Sequence, residues 1–170
     1  SLLEEFGIDS DLVQAVAGES VPIDRIISDP DDAKLRVELL LKMRETEQLS
    51  ALQAVVVRAS RLAVKSSLDL NILSASEVVD SKLFEKRSEE SMLNILNLLE
   101  PIVKDNSSDR YIRLAEGLAA GADVLSAFFD GDQSVMVMTD DQKIRSNRLN
   151  LLAVLCNQAS VLADFSKIKN

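Results

Sequence analysis

The chain has 170 residues, 46% apolar, 4% aromatic and 28% charged, with a net charge of -9 and no histidine or tryptophan. The missing histidine removes the commonest general base and metal ligand. The lone cysteine, Cys156 in the run LLAVLC, leaves neither a disulfide framework nor a zinc site, so catalysis inside this chain is not expected and a reducing compartment fits.

The length suits one domain whose core is built from Leu, Val, Ile and Ala, a composition that favours packed helices. No apolar stretch approaches the ~20 residues that span a bilayer, and no basic-then-apolar leader opens the chain, so a soluble, cytoplasmic protein is expected, or an organellar stromal one. The abrupt start at Ser1 suggests a piece of something longer.

In chain order, residues 1–28 read as short helical pieces, DLVQAVAG and then PIDRIIS, broken by Gly18, Pro22 and Ser28. They are assigned to the end of a preceding region, and residues 29–170 to the main domain. At SDPDDAKLRVELLLKMRE, Ser28 or Asp29 supplies a cap, Pro30 the first helical position and Asp31 and Asp32 an acidic first turn, predicting a helix over about 30–48. In LSALQAVVVRASRLAVKSS the apolar stripe Leu52, Val55, Val56, Ala59, Leu62 and Ala63 predicts an amphipathic helix, with Arg58, Arg61 and Lys65 together on another face.

Residues 69–86 are irregular, with one short turn expected over 76–81; connections of that length tend to be functional or mobile. The segment SEESMLNILNLLEPIVKD aligns Met92, Ile95, Leu96, Leu99, Ile102 and Val103, and Pro101 should kink or split the helix. Residues 107–129 carry the longest stripe, from Tyr111 to Phe129, and contain a Gly117-x-x-x-Gly121 spacing that reads as close helix packing in a water-soluble core. A last helix opens at Asp140 or Asp141 and runs to about Asp164, apolar almost all round and therefore central. The fold predicted is an all-α helical bundle of about five to six helices.

The turn FFDGDQSVMVMTDD between the last two helices places Asp130, Asp132, Ser134 and Asp141 at positions one, three, five and twelve of a calcium loop. Val135 stands where that loop needs glycine and Asp141 where it needs glutamate, so helix capping is the better account of the acids. Val135 to Met138 is expected to lie as an apolar rung under the turn.

Net negative charge argues against a nucleic-acid partner at first, because phosphate binding draws on Lys and Arg. The distribution is uneven: Arg58, Arg61 and Lys65 face only Asp69 within 51–70, and Lys143, Arg145, Arg148, Lys167 and Lys169 outnumber Asp140, Asp141 and Asp164 within 140–170. Arg148 shares a helix face with Ile144, Leu151, Leu152 and Leu155, where an apolar residue is expected. It calls for an ion pair with Asp130 or Asp132 of the preceding turn, for a phosphate or base edge, or for both, the two being compatible. Arg145, Asn147 and Arg148 at a helix start offer the groups that read unpaired RNA.

The ordered run Phe128-Phe129-Asp130, Val135 to Met138, Asp140-Asp141, Ile144-Arg145, Asn147-Arg148-Leu149, Leu151-Leu152 and Ala163-Asp164-Phe165-Ser166 resembles the C-terminal end of the bacterial-type glycyl-tRNA synthetase beta subunit, a DALR-type anticodon-binding domain. Weaker likeness extends to Asp11–Val16, to Arg58-Ala59-Ser60-Arg61-Leu62 and to Leu83-Phe84-Glu85. The chain departs from that pattern in the extra turn residues Gly131 to Ser134, in Val57 where asparagine is usual, and in a basic C-terminal end.

The resemblance implies a non-catalytic module that grips the anticodon stem-loop of glycine tRNA. Arg145, Asn147, Arg148, Arg61, Arg58, Lys65 and Lys143 would be the tRNA contacts. It also implies a separate alpha subunit in an alpha2beta2 enzyme, with ATP and magnesium used elsewhere and no cofactor here. A helical scaffold or subunit-contact domain, or the related domain of arginyl-tRNA synthetase, are the alternatives.

Overall fold

The computed structural model describes residues 9–18 and 30–169. The PIDRIIS helical piece and the caps expected at Ser28 or Asp29 lie outside them. Among the described residues there are six α-helices and no strand: α1 (Ser10–Ala17), α2 (Pro30–Glu45), α3 (Gln48–Ala63), α4 (Arg87–Val103), α5 (Arg110–Ser126) and α6 (Gln142–Ser160). Short 3-10 turns stand at Ala75–Glu77, Ser81–Leu83 and Phe165–Lys167. The all-α bundle expected from periodicity is the fold found.

α6 is the central helix. Leu149, Leu151, Leu152, Ala153, Val154 and Leu155 are all buried, which is what an apolar surface on every side demands. It packs most extensively on α3. The two run antiparallel: Cys156 lies against the Val56 carbonyl, while Ser66, just past the end of α3, hydrogen-bonds Asn150.

α4 and α5 are also antiparallel, and the two glycines are the reason they approach closely. A Cβ on Gly117 would sit 2.6 Å from Leu99 Cδ2, and one on Gly121 3.0 Å from Ile95 Cδ1. The G-x-x-x-G spacing is thus a helix-packing device. α4 is not split at Pro101; the proline falls in the last turn, so little helix remains to lose a backbone bond before α4 stops at Val103.

α1 belongs to the same core, burying Leu12, Val13, Ala15 and Val16. Asp164 N–H donates to the Ala15 carbonyl at 2.8 Å, and Asp11 accepts from Arg44 and from the Lys169 N–H. The start of the described chain is thereby fastened to its end.

The connection from 64 to 86 contains two 3-10 turns where one was expected, and amide side chains of α6 fix it along its length. Asn157 donates to the carbonyls of Asp69 and Ile72, and Gln158 to those of Leu73 and Leu96. Asn150 donates to Val78 O, and Asn147 both donates to Asp80 O and accepts from Asp80 N–H. A loop with few backbone partners of its own is held to one face of the central helix.

Candidate nucleic-acid interface

The cationic stripe on α3 follows from helix geometry. Leu52, Val55, Val56 and Ala59 face the core, and Arg58, Arg61 and Lys65, at relative positions 0, 3 and 7, fall together on the opposite, exposed side, Lys65 lying in the turn that ends the helix. Arg61 and Lys65 have no ion-pair partner among the described residues. Arg58 lies with its guanidinium carbon 4.9 Å from the centre of the Phe129 ring. Its Nη1 donates to both oxygens of Asp130 at 2.9 and 3.1 Å.

α6 begins as expected at an acidic cap. The Asp141 carboxylate accepts from the N–H groups of Lys143 and Ile144 at 2.9 and 3.1 Å, which fills two of the donors a helix start leaves open. Lys143 is exposed beside this cap. Arg145 is half-buried, its Nη1 donating to Thr139 O at 3.1 Å and so fastening the turn to the helix.

Asn147 and Arg148 correct the expectation of an exposed basic helix start. Asn147 is 5% exposed and spends its amide on both backbone groups of Asp80. The Arg148 side chain is also 5% exposed. It donates to Met136 O at 2.8 Å, to Glu85 Oε1 at 2.9 Å and to the Glu89 carboxylate at 3.3 and 3.4 Å. The ion-pair alternative therefore holds, but with different partners: Asp130 belongs to Arg58, and the acids on Arg148 are Glu85, just before α4, and Glu89 in its first turn.

Glu89 is the residue that sequence reasoning passed over. It is fully buried, and its Oε1 also accepts from the N–H groups of Glu85 and Lys86 at 3.0 Å each. The available signal was its place in the first turn of a helix, where a carboxylate reaches back to preceding backbone donors.

The turn between α5 and α6 is likewise not an apolar rung throughout. Val137 is buried and Val135 half-buried, whereas Met136 is 73% exposed and Met138 43%. The segment bends into a turn at Val137 and Met138 that buries Val137 and leaves both methionines outward, and the Met136 carbonyl accepts from Arg148. Gly131, at φ +93, makes the sharp bend after Asp130 that an L side chain would strain. Among the described residues no group of three or more acidic or thiol side chains is placed to hold a metal ion.

One open cleft of about 520 Å³ lies elsewhere, between the α2–α3 corner and the C-terminal end, lined by Arg44, Glu47, Leu49, Ser50, Ala51, Ile168 and Lys169. Arg44 is already engaged there with Asp9, Asp11 and the Lys169 carbonyl. No helix among the described residues is long and apolar enough to cross a membrane.

No family model matches the chain. Curated relatives do, along nearly its whole length. It is 40% identical over 170 residues to the glycine–tRNA ligase beta subunit of Gloeothece citriformis, 41% over 169 to that of Acaryochloris marina and 41% over 170 to that of Trichodesmium erythraeum. In each case the match takes in 98% of this chain and 24% of the relative, so the chain is similar to about a quarter of the length of proteins named glycine–tRNA ligase beta subunit.

Proposed function

We propose that the chain is a DALR-type anticodon-binding segment of a glycine–tRNA ligase beta subunit, a module that grips the anticodon stem-loop of glycine tRNA. Adenylation and transfer, with ATP and magnesium, fall to other parts of that enzyme and to its alpha subunit. What carries the reading is the similarity to a quarter-length segment of those subunits across 98% of the chain. The cations Arg61, Lys65 and Lys143, unpaired among the described residues, with Arg58 presented on an aromatic ring, support it, since loops of RNA are held by cations on a rigid helical platform. In this reading Asn147 and Arg148 position the platform, Arg145 ties down the adjoining turn, and the exposed cations touch the RNA.

The test is binding of glycine tRNA and of an anticodon-substituted tRNA at low salt. Arg61→Ala, Lys65→Ala and Lys143→Ala should each weaken binding and flatten the dependence of log K on log salt by ~0.7 for each phosphate no longer neutralised. Unchanged affinity and slope in all three variants would overturn the reading. The buried tethering of Asn147 and Arg148 favours a second reading, a scaffold that contacts another part of the enzyme, in which added salt leaves RNA association unaltered.

A further inference from the structure

Arg58, Phe129 and Asp130 form a stacked triad on the surface. Phe128 is fully buried, and its ring meets Phe129 edge-on at 5.4 Å, which anchors the platform under the guanidinium. Asp130 is held in place from its backbone, its N–H donating to Ser126 O at 3.0 Å in a turn that prolongs α5. Both charged side chains remain open to solvent, 51% for Arg58 and 70% for Asp130.

The pairing uses the guanidinium incompletely. A single nitrogen, Nη1, serves both carboxylate oxygens, while Nη2 and Nε meet no acceptor among the described residues. A matched fork would engage two nitrogens with two oxygens. Half of the Arg58 side chain stays open to solvent as well.

Resting on the RNA-binding reading, we propose that Asp130 is an internal counter-ion that masks Arg58, and that an RNA phosphate displaces it. Exposed ion pairs are weak, so the exchange starts from a shallow well. A phosphate can take the unused edge of the guanidinium in a matched pair and releases condensed counterions when it does, a gain that Asp130 cannot offer. The guanidinium stays on the Phe129 ring throughout, so little side-chain order has to be created. Its outer face then suits an unpaired base, because bases stack on arginine planes as they do on aromatic rings. The mask would lower affinity for stray polyanions while leaving a cation in position for a loop that brings phosphate and base together.

The experiment measures binding of glycine tRNA and of a labelled oligouridine at low salt to the 170-residue chain as wild type, Asp130→Asn, Arg58→Ala, the double variant and Asp132→Asn. Asp130→Asn should bind tRNA ~2- to 5-fold more tightly, the size expected for releasing one exposed pair. That gain should vanish in the Arg58→Ala background, and Asp132→Asn, one charge removed from the same turn, should fall short of it. Circular dichroism should show all five proteins equally folded, since the altered side chains are exposed.

A gain that persists without Arg58, or is matched by Asp132→Asn, overturns the mask and leaves only general electrostatics. If tRNA binds and responds to Arg61 and Lys143 but not to Asp130, the mask is wrong and the tRNA reading stands. If tRNA is not preferred and yet Asp130→Asn gains Arg58-dependent oligouridine binding, the mask stands and the tRNA reading falls. If neither nucleic acid binds any variant, both are refuted.

Discussion

The guanidinium of Arg148 and the carboxylate of Glu89 meet inside the protein at 3.3 and 3.4 Å, from side chains that are 5% and 0% exposed. Glu89 also gathers two backbone N–H groups at the entry to α4, and Arg148 holds the Met136 carbonyl. The pair thus joins the start of α4, the turn before α6 and α6 itself.

Removing one partner of such a pair leaves a buried charge without compensation. Arg148→Ala should destabilise the fold by about 3–5 kcal/mol. For a chain of this size that lowers the thermal midpoint by roughly 10 °C. At temperatures where the variant remains folded, tRNA affinity should change far less than it does for Arg61→Ala. A mild change in midpoint with a large loss of binding would return Arg148 to the RNA surface.

How much was legible in the sequence depends on the range of the signal. Start signals at Pro30 and Asp141 and repeats of three and four elsewhere gave each described helix to within a few residues, and the all-round apolar surface of α6 announced its central place. The glycine pair gave a close helix contact, because a missing Cβ has one obvious use in a helix stripe, but that the partner is α4 came only with the structure. Arg148 was recognised as out of place on its face, but nearness in the chain suggested Asp130 or Asp132, and its buried partner comes from 59 residues earlier. Asn147 reads as an RNA contact in the sequence and in fact pegs Asp80, while Asn150, Asn157 and Gln158 carried no signal, since an amide that pegs a distant loop looks like any polar side chain until the loop is in place.

The clasp between α1, α2 and the C-terminal end predicts how stability responds to acid. The hydrogen bonds from Arg44, at 2.5 and 3.0 Å, outweigh partial burial and hold the Asp11 carboxyl below the usual carboxylate range. A value lower in the folded than in the unfolded chain contributes stability that is complete above the unfolded value of about 3.9 and is lost as pH falls through the folded one. Asp11→Asn should therefore lower the urea midpoint at pH 7 and flatten its decline below about pH 4. Parallel acid limbs for wild type and variant would show that Asp11 is not the group responsible.

The two glycines of α5 should differ in tolerance. Alanine is favoured over glycine in a helix interior by about 1 kcal/mol, so substitution gains that much before any clash. At Gly121 the new Cβ would meet Ile95 Cδ1 at 3.0 Å, the end of a half-buried side chain that can give way. At Gly117 it would meet Leu99 Cδ2 at 2.6 Å, and Leu99 is 2% exposed in a packed core. Gly117→Ala should thus be less stable than Gly121→Ala by about 1–3 kcal/mol, the range for overpacking a core. Equal unfolding midpoints for the two would mean that α4 and α5 can part without cost.

Cys156 offers a probe of opening that needs no substitution. Burial against α3 pushes its thiol up to about 12, with Sγ 3.9 Å from the Val56 carbonyl. An ordinary thiol near 8.5 is about a quarter ionised at pH 8, whereas one near 12 holds only ~1 thiolate in 10,000. Alkylation of the folded protein at pH 8 should therefore be slower than that of the urea-unfolded chain by a factor on the order of a thousand or more, provided no local opening intervenes. Arg148→Ala, which loosens the same helix, should speed it by the factor by which the open population rises, about tenfold for each ~1.4 kcal/mol of stability lost, because reaction then passes through the transiently opened state. Native labelling as fast as that of the unfolded chain would show that the α3–α6 seam opens on its own, independently of the rest of the bundle.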